Sequence, residues 1–265
     1  MKKILFWALA IIITVTSSIF QRQTGPTKPV RDSITIAEQE IEFSLRRSFH
    51  RPTDAPVAID VPDENIDGYF RYKRYPSHED WDTLNLVRVG DQLIAYIPNQ
   101  PAAGKVNYQI VLQTEQEKVK LTAYPITIRF RNNVPAWAMI PHILLMFAAM
   151  LFSNRAAIAA GGKEKTYLYT LLTLITFVGG GLIFGPIVQK YAFGDWWTGW
   201  PLGTDLTDNK TAFALIFWIV AFFKTRNNPN HRTWVLVAAI ILLAIYFIPH
   251  SLLGSEIDWT QEQLQ

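Results

Sequence analysis

The chain has 265 residues, 49% of them hydrophobic and only 18% charged, below the roughly one quarter usual in a soluble domain. Its 25 Lys and Arg against 22 Asp and Glu leave a net charge of +3, and no basic stripe interleaved with stacking aromatics is present, which argues against nucleic-acid binding. Cysteine is absent, which excludes disulfides, thiolate metal sites, a Cys nucleophile and a lipidated cysteine.

The charge deficit is uneven. Residues 21–133 read as an ordinary polar domain, whereas most of 134–253 is apolar, so the sequence is divided between two solvents, water and lipid. Met1-Lys2-Lys3 precede an apolar run over 4–15. Residues 1–20 are therefore an N-terminal membrane anchor or a signal peptide. Thr16-Ser17-Ser18 is a weak cleavage site, while an anchor extended through Ile19-Phe20 is about 17 residues, the low end for spanning. The anchor is favoured, and on either reading the polar domain after it is exported. Residues 21–31 form a linker in which Pro26 and Pro29 bar a regular helix.

From residue 32 to 133 the pattern turns to short alternating or β-branched runs. Ile34 and Ile36 share a face, as do Ile41, Phe43 and Leu45, and further runs occupy 69–73, 84–89, 93–97, 106–112, 119–121 and 126–130. Turn signals such as Gly90-Asp91 and Pro98-Asn99-Gln100-Pro101 separate them. Roughly seven to nine short strands in this length predict an extracytoplasmic β-sandwich. The segment Gly90-Asp91-Gln92-Leu93-Ile94-Ala95-Tyr96-Ile97-Pro98, followed by Gly104-Lys105-Val106-Asn107-Tyr108, resembles bacterial immunoglobulin-like or fibronectin-III-like modules. The resemblance implies a fold and no activity.

The next apolar segments predict a four-helix transmembrane bundle over 134–253, with spans at 134–153, 167–188, 205–223 and 233–253, and an extracytoplasmic tail at 254–265. The fold class expected is thus an α+β membrane protein. Lys2 and Lys3, then Arg155, Lys163 and Lys165, then Lys224, Arg226 and Arg232 make every second connection basic, whereas Asp195, Asp205, Asp208, Glu256, Asp258 and Glu262 lie on the others. The positive-inside rule then predicts a multi-pass protein of the bacterial inner membrane, with a cytoplasmic N-terminus and an extracytoplasmic β-domain and C-terminus.

Two local signals stand out. Ile140-Pro141-His142-Ile143-Leu144-Leu145 recurs as Ile248-Pro249-His250-Ser251-Leu252-Leu253, which puts His142 and His250 at the outer ends of two spans. An ionisable group at such a place is either a functional group or an interfacial helix end meeting water and headgroups. The second signal is the outer loop. Tyr191, Phe193, Trp196, Trp197 and Trp200 suit an interfacial aromatic belt. The string Thr204-Asp205-Leu206-Thr207-Asp208-Asn209-Lys210-Thr211 holds more polar groups than helix capping alone requires. His142, His250, Asp205 and Asp208 are candidate ligands for a transition metal or haem b, with Asn209, Lys210 and Lys190 completing a polar outer-face cluster. The alternative is a self-neutralising network that only locks helices together. No catalytic residue is assigned, because no nucleophile triad, phosphate loop or zinc-protease motif is present.

Gly185-Pro186-Ile187-Val188-Gln189-Lys190-Tyr191-Ala192-Phe193-Gly194, with Trp197-Thr198-Gly199 and Asp205-Leu206-Thr207-Asp208-Asn209-Lys210-Thr211, resembles uncharacterised bacterial integral membrane proteins in which a similar exported β-domain precedes four spans. That resemblance brings no activity. The function expected is a non-enzymatic envelope binding or assembly factor, partnered by the lipid bilayer and by an envelope protein through the β-domain, with room for a homo-oligomer. The alternative is a metal- or haem-binding redox or transport protein.

Overall fold

The computed structural model describes residues 1–228, 230–248, 254 and 256–260 of an α+β chain that divides into two compact units. One unit comprises residues 1–26 with 134–255, the other 27–133 with 256–265.

The second unit is built from β1 (Val30–Ile36), β2 (Gln39–Leu45), β3 (Ser48–His50), β4 (Ala55–Asp60), β5 (Asp67–Tyr75), β6 (Asp82–Asn85), β7 (Val87–Val89), β8 (Gln92–Ile97), β9 (Lys105–Gln113), β10 (Lys118–Lys120) and β11 (Ile126–Arg131). Three sheets result: β1-β2, β4-β8-β7, and a larger sheet ordered β3-β11-β9-β5-β6 with β10 also on β9. All pairs are antiparallel except β3 with β11. Strand alternation explains the core. Val57 and Ile59 of β4 with Leu93, Ala95 and Ile97 of β8 pack in one cluster with Phe70 of β5, Val106, Tyr108 and Ile110 of β9 and Ile128 and Phe130 of β11.

Two strands lie outside the sequence expectation, β3 and β4. Pro56 obscures β4, although Ala55, Val57 and Ile59 alternate, and Pro56 stands on its outward face. The run expected over 84–89 divides between two sheets at Leu86, whose N–H donates to the Gly68 carbonyl at 2.9 Å. Gly68 is required there, since a Cβ would stand 2.7 Å from both Leu86 Cδ1 and the Val111 carbonyl oxygen.

The first unit is helical: α1 (Lys2–Thr24), α2 (Ala136–Gly161), α3 (Tyr167–Phe177), a π-helical segment (Val178–Phe184), α4 (Gly185–Phe193), α5 (Leu206–Asn227) and α6 (Arg232–Phe247). Among the described residues four helical stretches, Lys2–Thr24, Ala136–Gly161, Tyr167–Phe193 and Leu206–Asn227, are long and apolar enough to cross a membrane, whereas Arg232–Phe247 is shorter. At 16 residues α6 extends roughly 24 Å, short of a bilayer core of about 30 Å. The expected last span, 233–253, continues past it into 249–253, which lies outside the described residues.

Contacts between helix ends show that successive helices alternate in direction. At one end Gln21 Nε2 donates to the Tyr246 carbonyl at 2.9 Å and Trp137 meets Tyr191 edge-on at 5.8 Å. At the other end Tyr167 stacks on Phe222 at 5.7 Å and Lys224 lies over Trp234 at 5.9 Å. The second end thus collects Lys2, Lys3, Lys163, Lys165, Lys224, Arg226 and Arg232, and the first collects Asp195, Asp205 and Asp208 together with Arg22, Lys190 and Lys210.

Candidate functional site

The outer-loop residues converge on the first turn of α5. Asp205 is its N-cap, one carboxylate oxygen accepting the Thr207 N–H at 2.7 Å, as the spacing anticipates. Asp208 does something else. Its Oδ2 accepts the backbone N–H groups of Thr198 at 2.7 Å and Gly199 at 3.1 Å, and the Gln189 side-chain amide at 3.2 Å. Thr198 Oγ1 lies 3.2 Å from Asp205 Oδ2 and 3.3 Å from Asp208 Oδ2, and accepts Gln189 Nε2 at 2.6 Å. Asn209 Oδ1 accepts the Trp200 N–H at 2.6 Å. The polar string therefore folds the 194–205 loop back over its own helix. Gly199 permits that approach, because a Cβ would stand 2.6 Å from Asp208 Cβ.

Lys210 is buried, and its ammonium donates to the Ile248 carbonyl at 2.9 Å, tying the start of α5 to the end of α6. Lys190 is apart from this set. It donates to the Gly194 carbonyl at 2.5 Å, closing the end of α4, where Gly194 takes φ 98°, a left-handed value that favours glycine.

His142, on α2 beside Pro141, places Nδ1 2.9 Å from the Gly180 carbonyl, which also accepts the Gly185 N–H across the wide π turn. A carbonyl only accepts, so Nδ1 carries the proton, and in the neutral ring the lone pair sits on Nε2. The glycines make the contact: a Cβ on Gly180 would stand 3.0 Å from Leu145 Cβ, Met146 N and Met146 Sδ. Gly179 and Gly180 thus form a close-packing seam against α2, while Gly181 faces Thr211 of α5.

Of the proposed metal set, Asp205 and Asp208 come together around Thr198, His142 is held at Gly180, and His250 lies outside the described residues. Among the described residues no group of three or more His, Asp or Glu is arranged to hold a metal ion. Sequence reasoning missed Gln189 and Thr198, both central to the cluster. Gln189 was readable as a polar residue, with Lys190, at the end of an apolar stretch. Nothing local marked Thr198.

The β unit carries a second candidate surface. On the outward side of β4-β8-β7, Val87 pairs with Ile94, which pairs in turn with Ala58, and Tyr96 pairs with Pro56. Val87, Val89 and Tyr96 are exposed. The outward side of the larger sheet is polar and engaged instead. Arg71 donates to Gln109 Oε1 at 2.7 Å and stacks on Trp81 at 5.1 Å, and Thr127 donates to Asn107 Oδ1 at 2.7 Å. The tail also lies on this unit: Glu256 pairs with Lys105, and Trp259 is buried with its backbone N–H on the Pro76 carbonyl at 3.1 Å and its ring 4.2 Å from the Arg74 guanidinium.

No protein-family model, curated protein or solved structure significantly matches this chain.

Proposed function

We propose that this is an integral protein of the bacterial inner membrane whose β unit is an exported immunoglobulin-like or fibronectin-III-like module. Its function is that of a non-enzymatic envelope binding or assembly factor. The observation that carries the reading is the apolar stretch of Val87, Val89 and Tyr96, exposed around the half-buried Pro56 and Ile94 and bordered by the Asp60–Gln92 pair. An antiparallel sheet that packs a core on one side ordinarily turns polar groups to water on the other. A contiguous apolar patch marks a contact surface, and the partner is an envelope protein with an apolar epitope.

The module assignment rests on strand order. β2 runs alongside β4, so the order β2-β4-β8-β7 opposes β6-β5-β9-β11, the A-B-E-D against C′-C-F-G arrangement of such sandwiches, with β3 added parallel to β11. The membrane assignment rests on the four long apolar stretches and on the excess of Lys and Arg at one helix end, which the positive-inside rule puts in the cytoplasm. The tail favours counting α6 as a crossing. Residues 256–260 pack on the β unit, so both belong on one side, which requires an even number of crossings after residue 133.

The alternative, a transition metal or haem b held by His142, His250, Asp205 and Asp208, gains less support. Asp208 Oδ2 is already surrounded by backbone and amide donors, and Asp205 caps a helix. A photo-reactive residue replacing Tyr96 tests the binding reading in intact cells. It should give one discrete protein adduct that Val87→Lys abolishes, and that is absent when the probe replaces Lys118 on the larger sheet. Equal labelling from both positions, or none from position 96, would overturn it.

A further inference from the structure

We infer that the N-terminal helix α1 is a permanent wall of the helical unit, retained in the mature protein, whose role is to close over a buried arginine on α2. Arg155 is 1% exposed although it belongs to the chain's basic, loop-proximal residues. Its Nη2 bonds Glu164 at 3.0 Å, while Nε and Nη1 have no hydrogen-bond partner among the described residues. Those donors lie among rings instead. The guanidinium stands 4.3 Å from the Tyr169 centroid, 5.4 Å from Phe6 and 5.7 Å from Trp7, and the latter two rings come from α1. Ring faces attract a desolvated guanidinium strongly, so much of this box is supplied by the first two turns of the chain.

The rest of the seam is equally specific. Ala10, Thr14 and Ser17 are its buried positions. Thr14 Oγ1 accepts the side-chain amide of Asn154 at 2.9 Å, with both residues buried. Gly162 leaves room for the Phe6 ring, whose Cε2 would stand 2.8 Å from a Cβ there. At the far end Ser18 and Gln21 both reach Tyr246. A leader that is removed leaves no contacts in the product. Its loss here would orphan the Asn154 amide and uncover a charge in an apolar wall.

The inference rests on the membrane reading for its compartment only, and extraction of membranes at high pH tests that reading separately. Two measurements on the full chain test the inference itself. Mass spectrometry of the detergent-purified protein should recover the peptide that contains Trp7. Because the chain has no cysteine of its own, a Thr14→Cys, Asn154→Cys double variant treated with a short bis-maleimide, which adds one thiol to each of its two double bonds, should crosslink in most molecules. An Ile12→Cys, Asn154→Cys pair should not, since Ile12 is exposed on the other face of α1. A chain that begins beyond residue 20, or one in which the two pairs react alike, would overturn the inference.

Discussion

The carboxylate of Asp208 holds the backbone N–H of Thr198, ten residues earlier in the chain, at 2.7 Å from a position inside the first turn of a long apolar helix. An acid there serves the helix dipole whether or not it touches the loop. Its burial and its second backbone donor, Gly199, make it the loop's anchor.

Asp208→Ala should therefore leave the buried Gly199 N–H, the half-buried Thr198 N–H and the Gln189 amide without this acceptor. Charge-assisted bonds of this kind are worth about 1.5–3 kcal/mol each in net terms, and the loop relaxes toward water to recover part of that. A net loss of about 2–4 kcal/mol is expected, read as a lower thermal midpoint in detergent together with new protease cleavage between residues 194 and 205. Asp205→Ala, which removes a cap, should cost about 1 kcal/mol and leave the loop protected. Equal effects of the two substitutions would contradict the division of roles.

His142 is expected to act through packing. The purified protein should be colourless in the visible range and free of stoichiometric metal, and His142→Ala should change neither. What the substitution removes is the Nδ1–H bond to Gly180, so the thermal midpoint should fall, and Gly180→Ala should lower it further by driving α2 from the π segment. A Soret band or bound metal that disappears in His142→Ala would restore the metal reading.

The fold was legible where a pattern has one physical cause. Long apolar stretches and period-2 runs mark the helices and most strands because burial alone dictates them. β4 was hidden by Pro56 and β3 by its length, as both owe their pairing to distant strands, β8 and β11. Arg155 resembles a loop charge when judged by its neighbours in sequence. Its burial depends on Phe6 and Trp7, nearly 150 residues away, which no local pattern encodes. At the candidate site the polar string 204–211 announced itself by excess, but its purpose depends on Thr198 and Gln189, partners that only the folded loop supplies.

Tyr108 offers a test of the β unit alone. Its hydroxyl, fully buried on β9, donates to the Arg46 carbonyl at 2.8 Å, where the chain passes from β2 to β3, and burial pushes that hydroxyl well above the usual tyrosine range. Tyr108→Phe keeps the ring and orphans a carbonyl, so it should cost about 1–2 kcal/mol in chemical denaturation with an unchanged denaturant slope. A neutral substitution would mean that water replaces the bond.

Glu79 supplies a pH dependence. Its hydrogen bond from the Arg74 side chain, with Nε at 2.7 Å, holds the carboxyl below the usual carboxylate range, against a smaller opposing effect of burial. A carboxyl whose folded value lies below its unfolded one contributes fully above the unfolded value, about 4.3, and loses that contribution as pH falls through the folded value. The pair is partly exposed, so the effect is modest and salt-sensitive. Its structural consequence is larger than its energy, because the same Arg74 faces the buried Trp259 of the tail. Lowering the pH from 6 to 3 should loosen residues 256–260 before the strands themselves unfold, seen as early hydrogen exchange confined to that segment. Glu79→Gln should show part of that loosening already at pH 6, the rest following as the Glu256 carboxylate that pairs with Lys105 takes up its proton. A tail equally protected in both proteins at both pH values would show that Arg74 holds Trp259 without help from Glu79.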